Sequence, residues 1–224
     1  MILTGHVGTN SELIAEVAKL YLKPRMRVLD MTFGRGVFWK NVDLGKLGAF
    51  TCNDINLTSK ALLTFGGAKT HSLVHAYDFR KLPDNWAGWY DVAVLDPPYM
   101  HGGATVKKSI SKCYGNKKTK YASHDAIMAL YHDGIVEAWR VLKPGGFLWV
   151  KCQDEIESGK QRWSHIEILD LATRACAQTR GKRPFSAKDL FVLVQSTVPA
   201  RRVNYQLHAR KNHSYLWIFR KEAL

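Results

Sequence analysis

The chain has 224 residues, 33 Lys and Arg against 19 Asp and Glu, and 46% apolar residues, which suits one domain with a sizeable core and excludes wholesale disorder. No apolar run approaches the roughly 20 residues that span a bilayer, and Met1-Ile-Leu-Thr-Gly-His has no basic region followed by an apolar one, so neither a membrane span nor a secretory signal is expected. The four thiols, Cys52, Cys113, Cys152 and Cys176, contain no C-x-x-C pair, which points to a reduced, metal-free, soluble intracellular protein, expected in the cytoplasm.

Thr9-x-x-Glu12 ahead of Leu13, Ile14, Val17, Ala18 and Tyr21 predicts a capping box opening an amphipathic helix that ends before Pro24. Arg27-Val-Leu-Asp30, stopped by Thr32, Gly34 and Gly36, reads as a buried parallel strand entering a turn. Similar runs follow at Ala49–Cys52, Leu73–Tyr77, Val92–Leu95, Phe147–Val150 and Phe191–Val194, with an aromatic strand candidate at His213–Phe219. Asp125–Leu142 carries apolar residues at a period near 3.6 and is stopped by Lys143-Pro-Gly-Gly. Trp163–Ala177 is a second amphipathic stretch. Strands alternating with helices imply a single α/β domain over residues 1–224, a mostly parallel sheet with helices on both faces.

The net charge of +14 is uneven, because the first 100 residues hold 11 basic and nine acidic side chains whereas the remaining 124 hold 22 and 10. Its densest patch is Lys107, Lys108, Lys112, Lys117, Lys118 and Lys120, interleaved with Tyr114 and Tyr121 in a polar stretch at about 100–122. Lysines among aromatics suit a phosphate backbone with stacked bases, and a solvated loop is the plainer reading.

In a parallel sheet ligands bind at the carboxyl ends of the strands. Four successive apolar runs close on Asp30, Asp54, Asp78 and Asp96, a recurrence that turn capping alone does not explain. The first turn, Asp30-Met-Thr-Phe-Gly34-Arg-Gly36, lets a ligand approach the main chain, but Phe38 and Trp39 occupy the region of a third glycine, so it is not the dinucleotide fingerprint. Asp96-Pro97-Pro98-Tyr99 then follows Val92-Ala-Val-Leu95. Two prolines stiffen the chain and remove two N–H donors, which leaves carbonyls and a carboxylate as acceptors beside an aromatic ring. That set matches a planar heterocycle bearing an exocyclic amine.

Here the chain resembles the S-adenosylmethionine-dependent amino-methyltransferases, whose D/N/S-P-P-Y/F signature follows the fourth strand. The resemblance covers most of residues 9–152 and implies a Rossmann-like class I methyltransferase domain using S-adenosyl-L-methionine. It further implies that Asp30, Thr32, Phe33, Gly34 and Gly36 form the cofactor loop, that Asp54 accepts from the ribose hydroxyls, and that Asp78 accepts from the adenine amine between Ile55 and Phe79. Asp96 and the Pro97 carbonyl would orient the target amine, with Pro98 stiffening the turn and Tyr99 stacking on the base. Gln161-Arg-Trp-Ser-His-Ile166 and Ala209–Phe219 are more loosely similar to segments of small, often phage-borne DNA methylases. Met31-Thr32 and Arg35 depart from the small residues common in that loop, and no separate target-recognition domain is evident.

The resulting expectation is transfer of a methyl group to N6 of adenine in DNA, on a flipped or single-stranded base, with short or relaxed sequence specificity. The phosphate contacts would come from the lysine patch, residues 158–162 and 180–188, Arg201-Arg202 and Arg210-Lys211. Cytosine N4 in DNA, a base in RNA, and a non-catalytic nucleic-acid-binding protein of the same fold are the alternatives. Trp163, Tyr215 and Trp217 are expected in the core, and His101, His124 and His213 are too scattered to suggest metal ligands.

Overall fold

Thr9 opens helix α1 (Asn10–Tyr21) as expected: its hydroxyl accepts from the Glu12 N–H, and its own N–H donates to Glu12 Oε2 at 2.7 Å. The computed structural model describes residues 1–56, 72–98, 123–174, 184–195 and 207–223, so Tyr99 and the lysine patch from Lys107 to Lys120 lie outside the described residues. Within them the strands are β1 (Gly5–Val7), β2 (Arg27–Asp30), β3 (Ala49–Asn53), β4 (Ser72–His75), β5 (Tyr90–Leu95), β6 (Leu142–Cys152), β7 (Glu155–Glu157), β8 (Lys160–Arg162), β9 (Phe185–Val194) and β10 (His213–Lys221). Two further helices are α2 (His124–Val141) and α3 (Ser164–Thr173).

Eight strands form one sheet in the order β1-β9-β10-β6-β5-β2-β3-β4, and β7 and β8 pair as a separate hairpin. Strand β10 runs antiparallel to both neighbours, whereas β4, β3, β2, β5 and β6 are parallel throughout. The predicted apolar runs all fall on strands, with β4 ending at His75 rather than Tyr77. Lys143-Pro-Gly-Gly does end α2, yet the chain passes straight into β6 with Gly145 in the left-handed region at φ +77°. The short strand β1 and the β7–β8 hairpin carry too little apolar pattern to be read in advance.

Alternation along each strand divides the core between the two faces. Val28, Phe50, Val92, Val94, Trp149, Leu216 and Ile218 pack with α1 residues Leu13, Ile14, Val17 and Ala18 on one side. Leu29, Ala93, Leu95, Leu148 and Val150 pack with Ile127, Tyr131, Ile135 and Ala138 of α2, and Ile168 and Ala172 of α3, on the other. No described helix is long and apolar enough to cross a membrane.

Helix α2 packs tightly over the sheet at Gly134, where an added Cβ would lie 2.9 Å from Leu95 Cδ2 and 3.0 Å from Phe79 Cε2. Gly134→Val should therefore force α2 off the strand ends and destabilise the protein by about 1–3 kcal/mol, the usual range for overpacking. A urea unfolding midpoint equal to the wild type's would show that the helix has room to spare.

Candidate active site

Because β2, β3, β4 and β5 are adjacent and parallel, their carboxyl ends meet at one edge, and Asp30, Asp54, Asp78 and Asp96 lie there in the order 78, 54, 30, 96. The backbone is drawn tight between strand ends. Met31 N–H donates to the Val94 carbonyl at 2.9 Å and Phe33 N–H to the Asn53 carbonyl at 3.0 Å. Buried Asn53 binds three strand ends at once, its Nδ2 donating to the Met31 and Tyr77 carbonyls at 3.1 and 3.0 Å and its Oδ1 accepting from Tyr77 N–H at 3.0 Å.

The loop after β2 follows from its residues. Gly34 and Gly36 adopt φ of +56° and +66°, a region that penalises any side chain by about 1 kcal/mol or more. Gly36 leads into a 3-10 turn, Val37–Trp39, that buries Phe38 and Trp39. The Trp39 indole donates to Asp30 Oδ2 at 2.6 Å while Thr32 N–H donates to Oδ1 at 3.0 Å. Thr32 Oγ1 in turn accepts the Asp96 N–H at 2.7 Å, which joins the cofactor loop of the sequence reading to the Asp-Pro-Pro turn. Phe33 is buried.

Asp54, half-buried, accepts from Gly34 N–H and Asn56 N–H, both at 2.8 Å, and so fixes the glycine loop to the end of β3. Asp78 is bidentate to the Arg80 guanidinium, with Nε to Oδ1 at 2.9 Å and Nη2 to Oδ2 at 2.6 Å. Those bonds hold its carboxyl below the usual range. Asp78 is thus already engaged by a neighbour in sequence. Ile55 is 57% exposed, whereas Phe79 packs partly against the core beneath α2.

Burial pushes the Asp30 carboxyl up to about 7, opposed by the Trp39 and Thr32 bonds and reinforced by the negative charges of Asp96 and Asp54. Burial pushes Asp96 up to about 6, and the ammonium of Lys151 pulls it back. Among the described residues, Asp96 Oδ1 is buried and has no hydrogen-bond partner. Pro97 is buried and Pro98 half-buried. The edge is therefore an anionic, partly dry pocket with a strong acceptor left open.

Asn53 and Trp39 escaped the sequence reading. An Asn closing an apolar run directly before Asp54 was the available signal for the first; Trp39 registered only as a missing glycine. Trp163 is corrected as well: it is half exposed at the N-cap of α3, outside both core clusters, with Lys211 Nζ 5.4 Å from the ring centroid. Tyr215 and Trp217 do pack against the core. His124 is buried between Glu155 and Glu167 at 2.8 and 2.9 Å, a structural clamp tying α2 to the hairpin and α3. No group of three or more metal-binding side chains occurs among the described residues.

The fold is that of the Rossmann-like class I methyltransferases. The chain is similar to TrmN from Thermus thermophilus (16% identity, TM-score 0.55, 94% of this chain) and spans about half, 48%, of that protein. It is also similar to the N-methyltransferase NodS from Bradyrhizobium japonicum solved with S-adenosyl-L-homocysteine (14%, TM-score 0.54, 94% of this chain and 86% of that one). A third likeness is to PH1948 from Pyrococcus horikoshii, which its description assigns provisionally to the RNA methyltransferases (12%, TM-score 0.56, 95% and 83%). No family model matches the sequence, and no curated protein matches it significantly.

Replacing Trp39 by Phe removes the donor to a buried carboxylate and should cost about 1–3 kcal/mol in urea unfolding at pH 8, where Asp30 is ionised. At pH 5, where the raised carboxyl is protonated, the loss should shrink. An equal loss at both pH values would mean that packing, not the hydrogen bond, is what Trp39 provides.

Proposed function

We propose that this chain is an S-adenosylmethionine-dependent DNA methyltransferase that transfers a methyl group to the exocyclic N6 amine of adenine. The observation that carries the reading is the Asp96-Pro97-Pro98 turn at the end of β5, with a buried carboxylate oxygen that no described group satisfies. An unpaired buried acceptor is expensive unless a ligand completes it, and an exocyclic amine supplies the missing donor.

The residues fit the cofactor. Asp30, Asp54 and Asp96 place three carboxylates along one edge, a favourable field for a cationic ligand, and the left-handed backbone at half-buried Gly34 leaves main chain without a side chain beside them. Asp54 would accept from the ribose hydroxyls on its remaining lone pairs, and Ile55 and Phe79 would flank the adenine. Asp78 would take the adenine amine while sharing its charge with Arg80. S-adenosylmethionine, when bound, supplies a methyl group on a sulfonium. The chain's own part is alignment: Asp96 and the Pro97 carbonyl accept the two N–H bonds of the amine and aim its lone pair, and Tyr99 stacks on the base. Such a pocket reaches only a base outside the duplex.

Lys107, Lys108, Lys112, Lys117, Lys118 and Lys120 would hold phosphates, aided by Lys160 and Lys211, with few groups left for base edges; short or relaxed specificity follows. A second reading, methylation of an RNA base, is favoured by the likeness to PH1948.

Incubation with S-adenosylmethionine and duplex DNA, single-stranded DNA or RNA, followed by nucleoside mass spectrometry, should yield N6-methyladenine in DNA. N4-methylcytosine would keep the mechanism and change the base; product confined to RNA would establish the second reading. Asp96→Ala should lower transfer by about 100-fold or more while cofactor affinity stays within a few-fold, as loss of a key acceptor requires. Asp54→Ala should instead weaken cofactor binding in calorimetry, since it removes both an acceptor and the tie to Gly34.

A further inference from the structure

Lys151 is one of the largest fully buried side chains in the protein, at 2% exposure, and no sequence motif singles it out. It sits on β6 one residue past Val150, which pairs with Leu95 of β5, so the parallel register sets Lys151 beside Asp96. Alternation puts it on the α1 face with Trp149, away from Val150 and Cys152. Across β10 its ammonium donates to Ser214 Oγ, and Ser214 is itself buried. A buried ammonium has three donors, and burying it with a single hydroxyl partner is costly unless a counter-charge stands nearby.

Among the described residues, the charged and titratable groups around the pair are few. Asp30 at the end of β2, with Asp54 beyond it at the end of β3, lies on one side of Asp96, while Lys151 and Cys152 at the end of β6, and Asp154 just after it, lie on the other. Burial is what disfavours charge on Asp96, and among the described residues Lys151 is the cation that opposes it; burial likewise pushes the Lys151 ammonium below its usual range, while Asp96 favours its charged form in return.

We propose that Lys151 is a positioning residue for methyl transfer: held by Ser214, it serves as the buried counter-ion that keeps Asp96 a carboxylate, able to accept the target amine. The role rests on the reading of Asp96 as that acceptor. A protonated Asp96 would present a donor where the amine needs an acceptor, and burial pushes it toward that form. Lys151 opposes that push without occupying the open oxygen.

The test uses the full-length protein and two readouts. The first is the 13Cγ resonance of Asp96, assigned with Asp96→Asn and followed against pH in wild type and Lys151→Met. The midpoint should rise by about one pH unit in the variant, as loss of a nearby opposite charge requires. The second is the pH–rate profile of methyl transfer. Its acidic limb should move with the resonance, giving a defect of roughly fivefold at pH 6 that fades by pH 8, with Lys151→Arg restoring most of the activity. A purely structural role would leave a defect independent of pH. An unmoved Asp96 midpoint overturns the proposal outright. A moved midpoint with an unmoved rate profile overturns the assignment of Asp96 to the amine, and with it the role of Lys151 in the reaction. If Lys151→Met does not fold, the converse experiment stands in its place: Asp96→Asn should lower the Lys151 13Cε midpoint by the same amount, because linkage is reciprocal, and no movement overturns the pairing.

Discussion

The structure depends on one constraint: four parallel strands must end side by side on carboxylates that are partly shut off from water. Like charges at one edge repel, and burial penalises each of them, so the fold has to supply compensating donors within a few residues. It does so locally. Trp39 and Thr32 serve Asp30, the amides of Gly34 and Asn56 serve Asp54, and Arg80 serves Asp78. Asp96 is the exception, with a buried oxygen that none of the described residues satisfies.

That asymmetry is what separates a binding edge from a merely capped one. Carboxylates already engaged by neighbours shape the edge and set its charge; the one with an open buried oxygen has the greatest need of a further donor. The Thr32 bond to the Asp96 amide ties the two kinds together, linking the glycine loop to the Asp-Pro-Pro turn. Asn53 extends the same rigidity to β4 through Tyr77. Preorganisation of this kind suits a reaction whose barrier is lowered mainly by alignment.

Much of the scaffold was legible in the chain. The capping box at Thr9, the strand at Arg27–Asp30 and the helix ending at Lys143-Pro-Gly-Gly are set by local hydrogen bonding and periodicity, and each lies where those rules place it. The recurrence of aspartate at strand ends could be read because a parallel sheet has only one carboxyl edge. Trp163 was misread, since an aromatic residue's burial depends on what the fold stacks against it, and here the residue stands at the N-cap of α3, outside both core clusters.

By itself the sequence determined which residues end the strands, where the backbone turns left-handed and which turn is stiffened by proline, because these follow from side-chain chemistry and short-range sterics. Only the tertiary structure decided which partners those groups meet. Asn53 bridges segments 22 and 24 residues away, and Lys151 on β6 donates to Ser214 on β10, 63 residues further along the chain. No periodicity encodes such pairings: they arise from strand order and register, which are settled by the packing of the whole sheet between its two layers of helices.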